Sequence, residues 1–256
     1  MEMTSYPPGT PSWVDLGTSD VSAAAAFYGG LFGWEVRDSL PDAGGYRLAE
    51  LRGKPVAGLG PQMQPGMPPM WSTYIATADA DATAKAVRDA GGQTFVPPMD
   101  VMDVGRMAVF ADPSGAAFGV WQAGSHLGAG LVNEPNTLCW NELATRDPDA
   151  VIPFYRDVFG WEANTQEMGG MAYTEWQRNG KTVAGMMPMG DNFPAEVPSY
   201  WGLYFAVADA DATAAKVTEL GGRVHQPPMD IPVGRFALVA DPQGAMFSVI
   251  KLGRQQ

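Results

Sequence analysis

Side chains that bind metals or form cross-links are scarce in this chain: of 256 residues, two are histidine and one, Cys139, is cysteine. A single cysteine excludes an internal disulfide and fits a reducing compartment, although a disulfide-free exported protein would look the same. Basic residues are also few. Sixteen Lys and Arg against 28 Asp and Glu leave a net charge of −12, which opposes binding to a phosphate backbone or an anionic lipid surface. Nucleic acid and membrane are therefore not expected as partners. No apolar run approaches the length of a membrane span, and Met1–Thr10 lacks the basic and apolar regions of a signal peptide. The expectation is a soluble, cytoplasmic protein. The Gly-x-Gly-x-x-Gly fingerprint and the Gly-x-Ser-x-Gly elbow are absent, nothing suggests a nucleotide fold, and no flavin motif is recognisable, so no cofactor is expected.

What the chain has is repetition. Trp13–Thr18 and Phe27-Tyr28-Gly29-Gly30-Leu31-Phe32-Gly33-Trp34 return 127 residues later as Trp140–Thr145 and Phe154-Tyr155-Arg156-Asp157-Val158-Phe159-Gly160-Trp161. Ala78–Ala84 returns as Ala208–Ala214, and Pro97-Pro98-Met99-Asp100 as Pro227-Pro228-Met229-Asp230. Two similar halves should fold alike, and a site in one should have a counterpart in the other. With 46% hydrophobic and 17% charged residues, the chain can bury one or two substantial cores.

Each half contains a smaller cycle twice. A strand near Ser12–Thr18 leads to a helix at about Asp20–Leu31, with Asp20 suited to the N-cap and Gly33 ending the helix. Short strands follow near Trp34–Arg37, Tyr46–Leu51 and Pro55–Leu59, the last two joined by a tight turn at Arg52-Gly53. After Pro61–Pro69 the order recurs: a strand at Ser72–Thr77, a helix from about Asp81 to Asp89 closed by Gly91-Gly92, then strands near Thr94–Val96, Arg106–Ala111 and Ala116–Gln122. Asp112-Pro113-Ser114-Gly115 is the hairpin turn, matched by Asp241-Pro242-Gln243-Gly244. Pro-Pro-Met-Asp reads as a rigid loop. The division is residues 11–123, a linker over 124–136, and residues 137–253.

Four strand-helix-strand-strand-strand modules, Phe-Tyr-x-x-x-Phe-Gly-Trp after the first strand, and a closing Ala-Asp-Pro-x-Gly-x-x-Phe hairpin resemble the glyoxalase / bleomycin-resistance / extradiol-dioxygenase superfamily, also called vicinal oxygen chelate proteins. The resemblance covers nearly all of Ser12 to Leu252 and looks closest to the two-domain, single-chain type often labelled hydroxylases. It implies an α+β fold: four βαβββ modules forming two similar glyoxalase-like domains whose curved mixed sheets enclose clefts. For the reaction it implies little, since such a fold hosts many activities.

The resemblance also implies where ligands to a divalent ion would stand. Those positions fall at Trp13, Trp140, Thr73 and Leu203 on first strands of modules, and at Gly119 and Ser248 on last strands, with Gly58 and Gly185 near the corresponding points of the other two modules. This is no set of imidazole, thiolate or carboxylate groups, so the inherited metal site is expected to be lost. Strand alternation then puts Asp15 beside Trp13 and Glu142 beside Trp140 on the cleft face. The same alternation and the hairpin turns add Trp121, Phe110, Ala108 and Arg106 in the first half, and Ile250, Ala237 and Arg235 in the second.

Each feature has a plainer reading. Trp13 and Trp140 either stack on a ligand or fill the volume of a lost metal site. Asp15 and Glu142 are either acid/base groups, desolvated beside indoles, or structural ion pairs with Arg106 and Arg235. The methionines of the inter-module stretches either rim an apolar ligand or pack as linkers. His126 sits in the linker, His225 reads as an edge residue, and Cys139 as a buried, inert thiol. The expected function is metal-independent binding of a small apolar compound, aromatic or polyketide-like. If the protein is an enzyme, it is a small-molecule tailoring enzyme in which Asp15 or Glu142 moves a proton and Arg106 or Arg235 stabilises negative charge. The alternatives are an antibiotic-sequestering binder without chemistry, then a hydroxylase-type tailoring enzyme. A monomer suffices to form both clefts, and a homodimer is compatible.

Overall fold

A computed structural model of the chain describes residues 1–38, 43–64, 66–168, 170–191 and 193–253. The first half runs β1 (Pro11–Thr18), α1 (Val21–Phe32), β2 (Glu35–Asp38), β3 (Arg47–Leu51), β4 (Lys54–Pro61), β5 (Met70–Ala76), α2 (Ala80–Asp89), β6 (Gln93–Val101), β7 (Gly105–Ala111) and β8 (Ala117–Ala123). The second repeats it as β9 (Leu138–Thr145), α3 (Pro148–Phe159), β10 (Glu162–Met168), β11 (Met171–Arg178), β12 (Lys181–Pro188), β13 (Tyr200–Ala206), α4 (Ala210–Glu219), β14 (Arg223–Ile231), β15 (Gly234–Ala240) and β16 (Met246–Leu252).

Local chemistry sets these boundaries. Asp20, Asp79, Asp147 and Asp209 each accept a hydrogen bond from the backbone N–H three residues on, at 2.9 to 3.0 Å, which satisfies a donor the helix leaves open and is worth about 1 kcal/mol per cap. Gly33 and Gly160 close α1 and α3 in the left-handed conformation, with φ of 71° and 68°. Arg52-Gly53 and Asn179-Gly180 both carry two successive positive φ values, the hairpin geometry that matches strand twist. Among the described residues no helix is long and apolar enough to cross a membrane.

The two modules of each half share one eight-stranded mixed sheet. Its order is β2-β3-β4-β1-β5-β8-β7-β6, and β10-β11-β12-β9-β13-β16-β15-β14 in the second half. In the first, β1 lies parallel to β4 and antiparallel to β5, which lies parallel to β8. The expected rigid loops at Pro97-Pro98 and Pro227-Pro228 are instead parts of β6 and β14. Both are edge strands with shifted register across the prolines, the setting in which a missing N–H is tolerated.

The two larger hydrophobic cores are each built from both halves. One joins Val14, Phe27, Tyr28 and Phe32 of the first module to Phe205, Val217 and Phe247 of the fourth. The other joins Ile75, Val87 and Phe118 of the second module to Phe154, Tyr155 and Trp161 of the third. Buried hydrogen bonds cross at the same places: Tyr28 Oη donates to Asp241 at 3.1 Å and Tyr155 Oη to Asp112 at 2.9 Å. Trp71 and Trp201 donate in turn to those tyrosines, at 3.0 and 2.8 Å. The repeated Phe-Tyr and Asp-Pro-x-Gly phrases are thus one device, in which a helix tyrosine of one half locks the last hairpin of the other. The helices fill the space between the sheets, and one face of each sheet is left free of them.

Candidate functional site

The helix-free faces carry the twin sites. In β1 the residues alternating with core residues Val14 and Leu16 are Trp13 and Asp15, which pair with Tyr74 and Ser72 of β5. Tyr46, just before β3, lies over Gly58 of β4, where a Cβ would collide with its hydroxyl. Trp13 Nε1 donates to Tyr46 Oη at 3.0 Å, and that oxygen lies 3.5 Å from Asp15 Oδ2. Tyr74 and Ser72 also donate to the carboxylate, yet burial outweighs them and pushes its pKa up to about 7.

The second half repeats the constellation with a longer acid. Trp140 Nε1 donates to Tyr173 Oη at 2.9 Å, and Tyr173 Oη to Glu142 Oε2 at 2.8 Å. Tyr204 Oη donates to Glu142 Oε1 at 2.8 Å. Tyr200 is close enough to feel the Glu142 charge. Burial raises the pKa of Glu142 as well, the tyrosine hydrogen bonds opposing it. Gly185 is the counterpart of Gly58: a Cβ there would strike Tyr173 Oη and come within 2.8 Å of Trp140 Nε1. In both halves, then, an indole orients a phenol and the phenol orients a carboxylate, with glycine making the room.

The sites differ in access. Over the first, Met3, Ala129 and Val132 pack on Trp13, Tyr74 and Trp121, which are 4%, 4% and 6% exposed. His126 sets its ring edge-on to Trp13 at 4.5 Å, and burial lowers its pKa to about 4. This roof is tied down by Tyr6 Oη to Ala129 O at 2.7 Å, Met3 N to Gly130 O at 3.0 Å, Ala129 N to Ser12 O at 2.8 Å, and ion pairs of Glu134 with Arg52 and the Met1 ammonium. Residues 124–136 are therefore a lid over the first site rather than a bare linker. Over the second site, Trp140, Glu142, Tyr173, Tyr204 and Phe236 are half-buried and Tyr200 is exposed. Glu142 lies in a recess walled by aromatic rings.

Other expected site residues divide by strand parity. Gly119, Trp121 and Ser248 lie on the helix-free faces, with Gly119 beside the Tyr74 ring and Ser248 beside Tyr204. Thr73 and Leu203 do not: Thr73 Oγ1 donates to Asn141 between the halves at 2.8 Å, and Leu203 is in a core. Their neighbours Tyr74 and Tyr204 take the site positions. Counted from the actual N-caps, Asp79 and Asp209, the site face is that of Ser72 and Gly202, one residue earlier.

Phe110, Arg106 and Arg235 are also on the helix side, because β7 pairs Val109 with Gly119 and Met107 with Trp121. Phe110 is core. Arg106 binds Asp81 at 3.0 Å and Asp100 at 2.8 Å, and Arg235 binds Asp211 at 2.6 Å and Asp230 at 3.2 Å. The expected ion pairs with Asp15 and Glu142 do not form; phenols hold both acids. Tyr46, Tyr74, Tyr173 and Tyr204 were absent from the sequence expectation, although each pair recurs at matching places of the repeat.

A family model described as Glyoxalase/Bleomycin resistance protein/Dioxygenase superfamily matches residues 10–120 and 137–249. The chain belongs to this superfamily. It is 49% identical to the Mycobacterium tuberculosis protein named "Putative glyoxylase CFP32", over 98% of each chain. It is 43% identical to the "Anthracycline biosynthesis protein DauV" of Streptomyces sp. strain C5, over 98% of this chain and 96% of that one. Among solved structures, the Mn(II)-bound glyoxalase from Novosphingobium aromaticivorans matches the fold with a TM-score of 0.64 at 16% identity, over 97% of this chain and 86% of that one.

A divalent ion of the kind that glyoxalase holds does not fit the residues present. Each site offers one carboxylate among phenols and an indole, and among the described residues no three His, Cys, Asp or Glu side chains gather. Such ions need several imidazole, thiolate or carboxylate donors at bonding distance. What the second recess does offer is a carboxyl group of raised pKa whose two oxygens each accept one phenol hydrogen bond and keep a further lone pair.

Proposed function

We propose that this protein binds a small, flat, largely apolar compound, aromatic or polyketide-like, in the second recess and moves a proton on it through Glu142, without a divalent ion. The observation that carries the reading is Glu142 fixed at 2.8 Å by both Tyr173 and Tyr204 among half-buried aromatic rings, while the corresponding rings of the first site, Trp13 and Tyr74, are buried under residues 124–136. Flat rings stack on indole and phenol faces, and desolvation brings a carboxyl group toward the pH at which it can both take and return a proton. The relatives named for anthracycline biosynthesis support an aromatic polyketide as the compound. Glu142 accepts the proton from an acidic O–H or C–H of the ligand; Tyr173 and Tyr204 keep its oxygens aimed, and Trp140 keeps Tyr173 aimed.

Incubation of the purified protein with aromatic polyketide aglycones tests this, with complexes read by native mass spectrometry and conversion by chromatography. Glu142→Gln is expected to lower conversion by about 100-fold or more while binding of the compound stays measurable. Chelator-treated protein is expected to behave as untreated protein; activity lost on chelation and restored by one equivalent of a divalent ion overturns the metal-independent reading. One observation favours a second reading, binding without turnover: both Glu142 oxygens already accept hydrogen bonds, as in a fixed anchor. Stoichiometric capture with no new product selects it.

A further inference from the structure

Resting on the second recess as the ligand site, we infer that the recess selects aromatic ligands bearing a hydrogen-bond donor or a positive charge and discriminates against aromatic anions, with Glu142 as the specificity-determining residue. The side chains that hydrogen-bond Glu142 are the neutral phenols of Tyr173 and Tyr204. The charges that act on the phenols of the recess are acidic: Glu142 on Tyr173, Tyr200 and Tyr204, and Glu175 on Tyr173. The nearest basic side chains in the sequence pattern are engaged elsewhere. Arg235 is held by Asp211 and Asp230 on the far side of its sheet, and Arg146, just past β9, gives its guanidinium to the carbonyls of Pro194 and Val197.

The consequence is a wall with negative charge and, among the described residues, no counter-cation hydrogen-bonded to it. A ligand O–H or ammonium placed against the free lone pairs of Glu142 forms a charge-assisted hydrogen bond. An ammonium gains further from the electron-rich faces of Trp140, Tyr173 and Tyr204. A ligand carboxylate in the same place meets Glu142 and Glu175 in a partly dry setting, where repulsion between like charges a few ångströms apart exceeds thermal energy. The overall charge of −12 acts in the same direction at longer range.

Three probes with one ring system separate charge from shape: 2-naphthylmethylamine, 2-naphthylmethanol and 2-naphthoate, titrated into the intact protein at pH 8 by calorimetry up to millimolar concentration. The expected order is amine, then alcohol, then naphthoate, the last weaker than the alcohol by about tenfold or more. Glu142→Gln is expected to remove the advantage of the amine over the alcohol and to bring naphthoate within about threefold of it. Tyr204→Phe, which keeps the charge, is expected to preserve the order. Naphthoate binding as tightly as the alcohol, or an order unchanged in Glu142→Gln, overturns the selectivity. Equal binding of all three leaves the recess as a ligand site and removes only its selectivity, whereas no binding by any of them removes both readings.

Discussion

Replacing Asp15 by asparagine should make the protein more stable at neutral pH and erase part of its pH dependence. The carboxyl group is desolvated by burial and accepts from phenol and serine hydroxyls, and its pKa rises from 3.8 to about 7. The folded state therefore holds this proton more tightly than the unfolded chain does. Stability from this group is fully present below pH 4, declines as pH rises from about 4 to about 7, and is flat above. At about 1.4 kcal/mol per pH unit, the decline amounts to about 4 kcal/mol. Asparagine has the same shape and no proton to lose. The variant should match the wild type near pH 4 and exceed it at pH 8 by about 2 to 4 kcal/mol, the lower figure allowing for one imperfect hydrogen bond. Urea unfolding followed by tryptophan fluorescence between pH 4.5 and 8 measures this. Glu142 and Asp112 also have raised pKa values, so the informative quantity is the difference between the two proteins at each pH. A difference that does not change with pH, or a variant less stable than wild type at pH 8, would refute the reasoning.

The remaining predictions use the contrast between the twin sites. Trp13→Ala should cost about 3 to 5 kcal/mol, because the ring is 4% exposed and packed under the lid. Trp140→Ala should cost about half as much, and denaturant midpoints of the two variants read the contrast; equal losses would mean the second recess is as closed as the first. Gly185→Ala should cost about 1 to 3 kcal/mol by driving its new methyl into Tyr173 Oη. Adding Tyr173→Phe should recover part of that loss, and a double variant no better than the single one would show that the collision is with something else.

How much of this was legible along the chain depended on the range of the interaction. The Asp20 cap, the left-handed glycine at Gly33 and the Arg52-Gly53 turn are decided within a few residues, and the structure has each of them. The placement of Trp13 with Asp15, and Trp140 with Glu142, on one face followed from the two-residue strand period. The same rule failed for Arg106, Arg235 and Phe110, because carrying a face across a hairpin requires the pairing register, and an error of one residue reverses every side chain. It failed for Thr73 and Leu203 because the helix cap was counted from the wrong residue. Tyr46 and Tyr173 are not legible in this way because they reach the acids across an intervening strand, β4 or β12, from 31 positions away in the chain.

The repeated amino-acid order by itself determined the family, the four modules and the correspondence of the two sites, since each rests on short motifs that recur along the chain. Only the tertiary structure decided that phenols rather than arginines hold the acids, and that the twins are unequal. Residues near the N-terminus and the stretch 124–136 close over one site because backbone hydrogen bonds join segments more than a hundred positions apart, as between Met3 and Gly130. Local sequence holds no record of such a meeting: its free energy comes from surfaces that exist only once both sheets have folded.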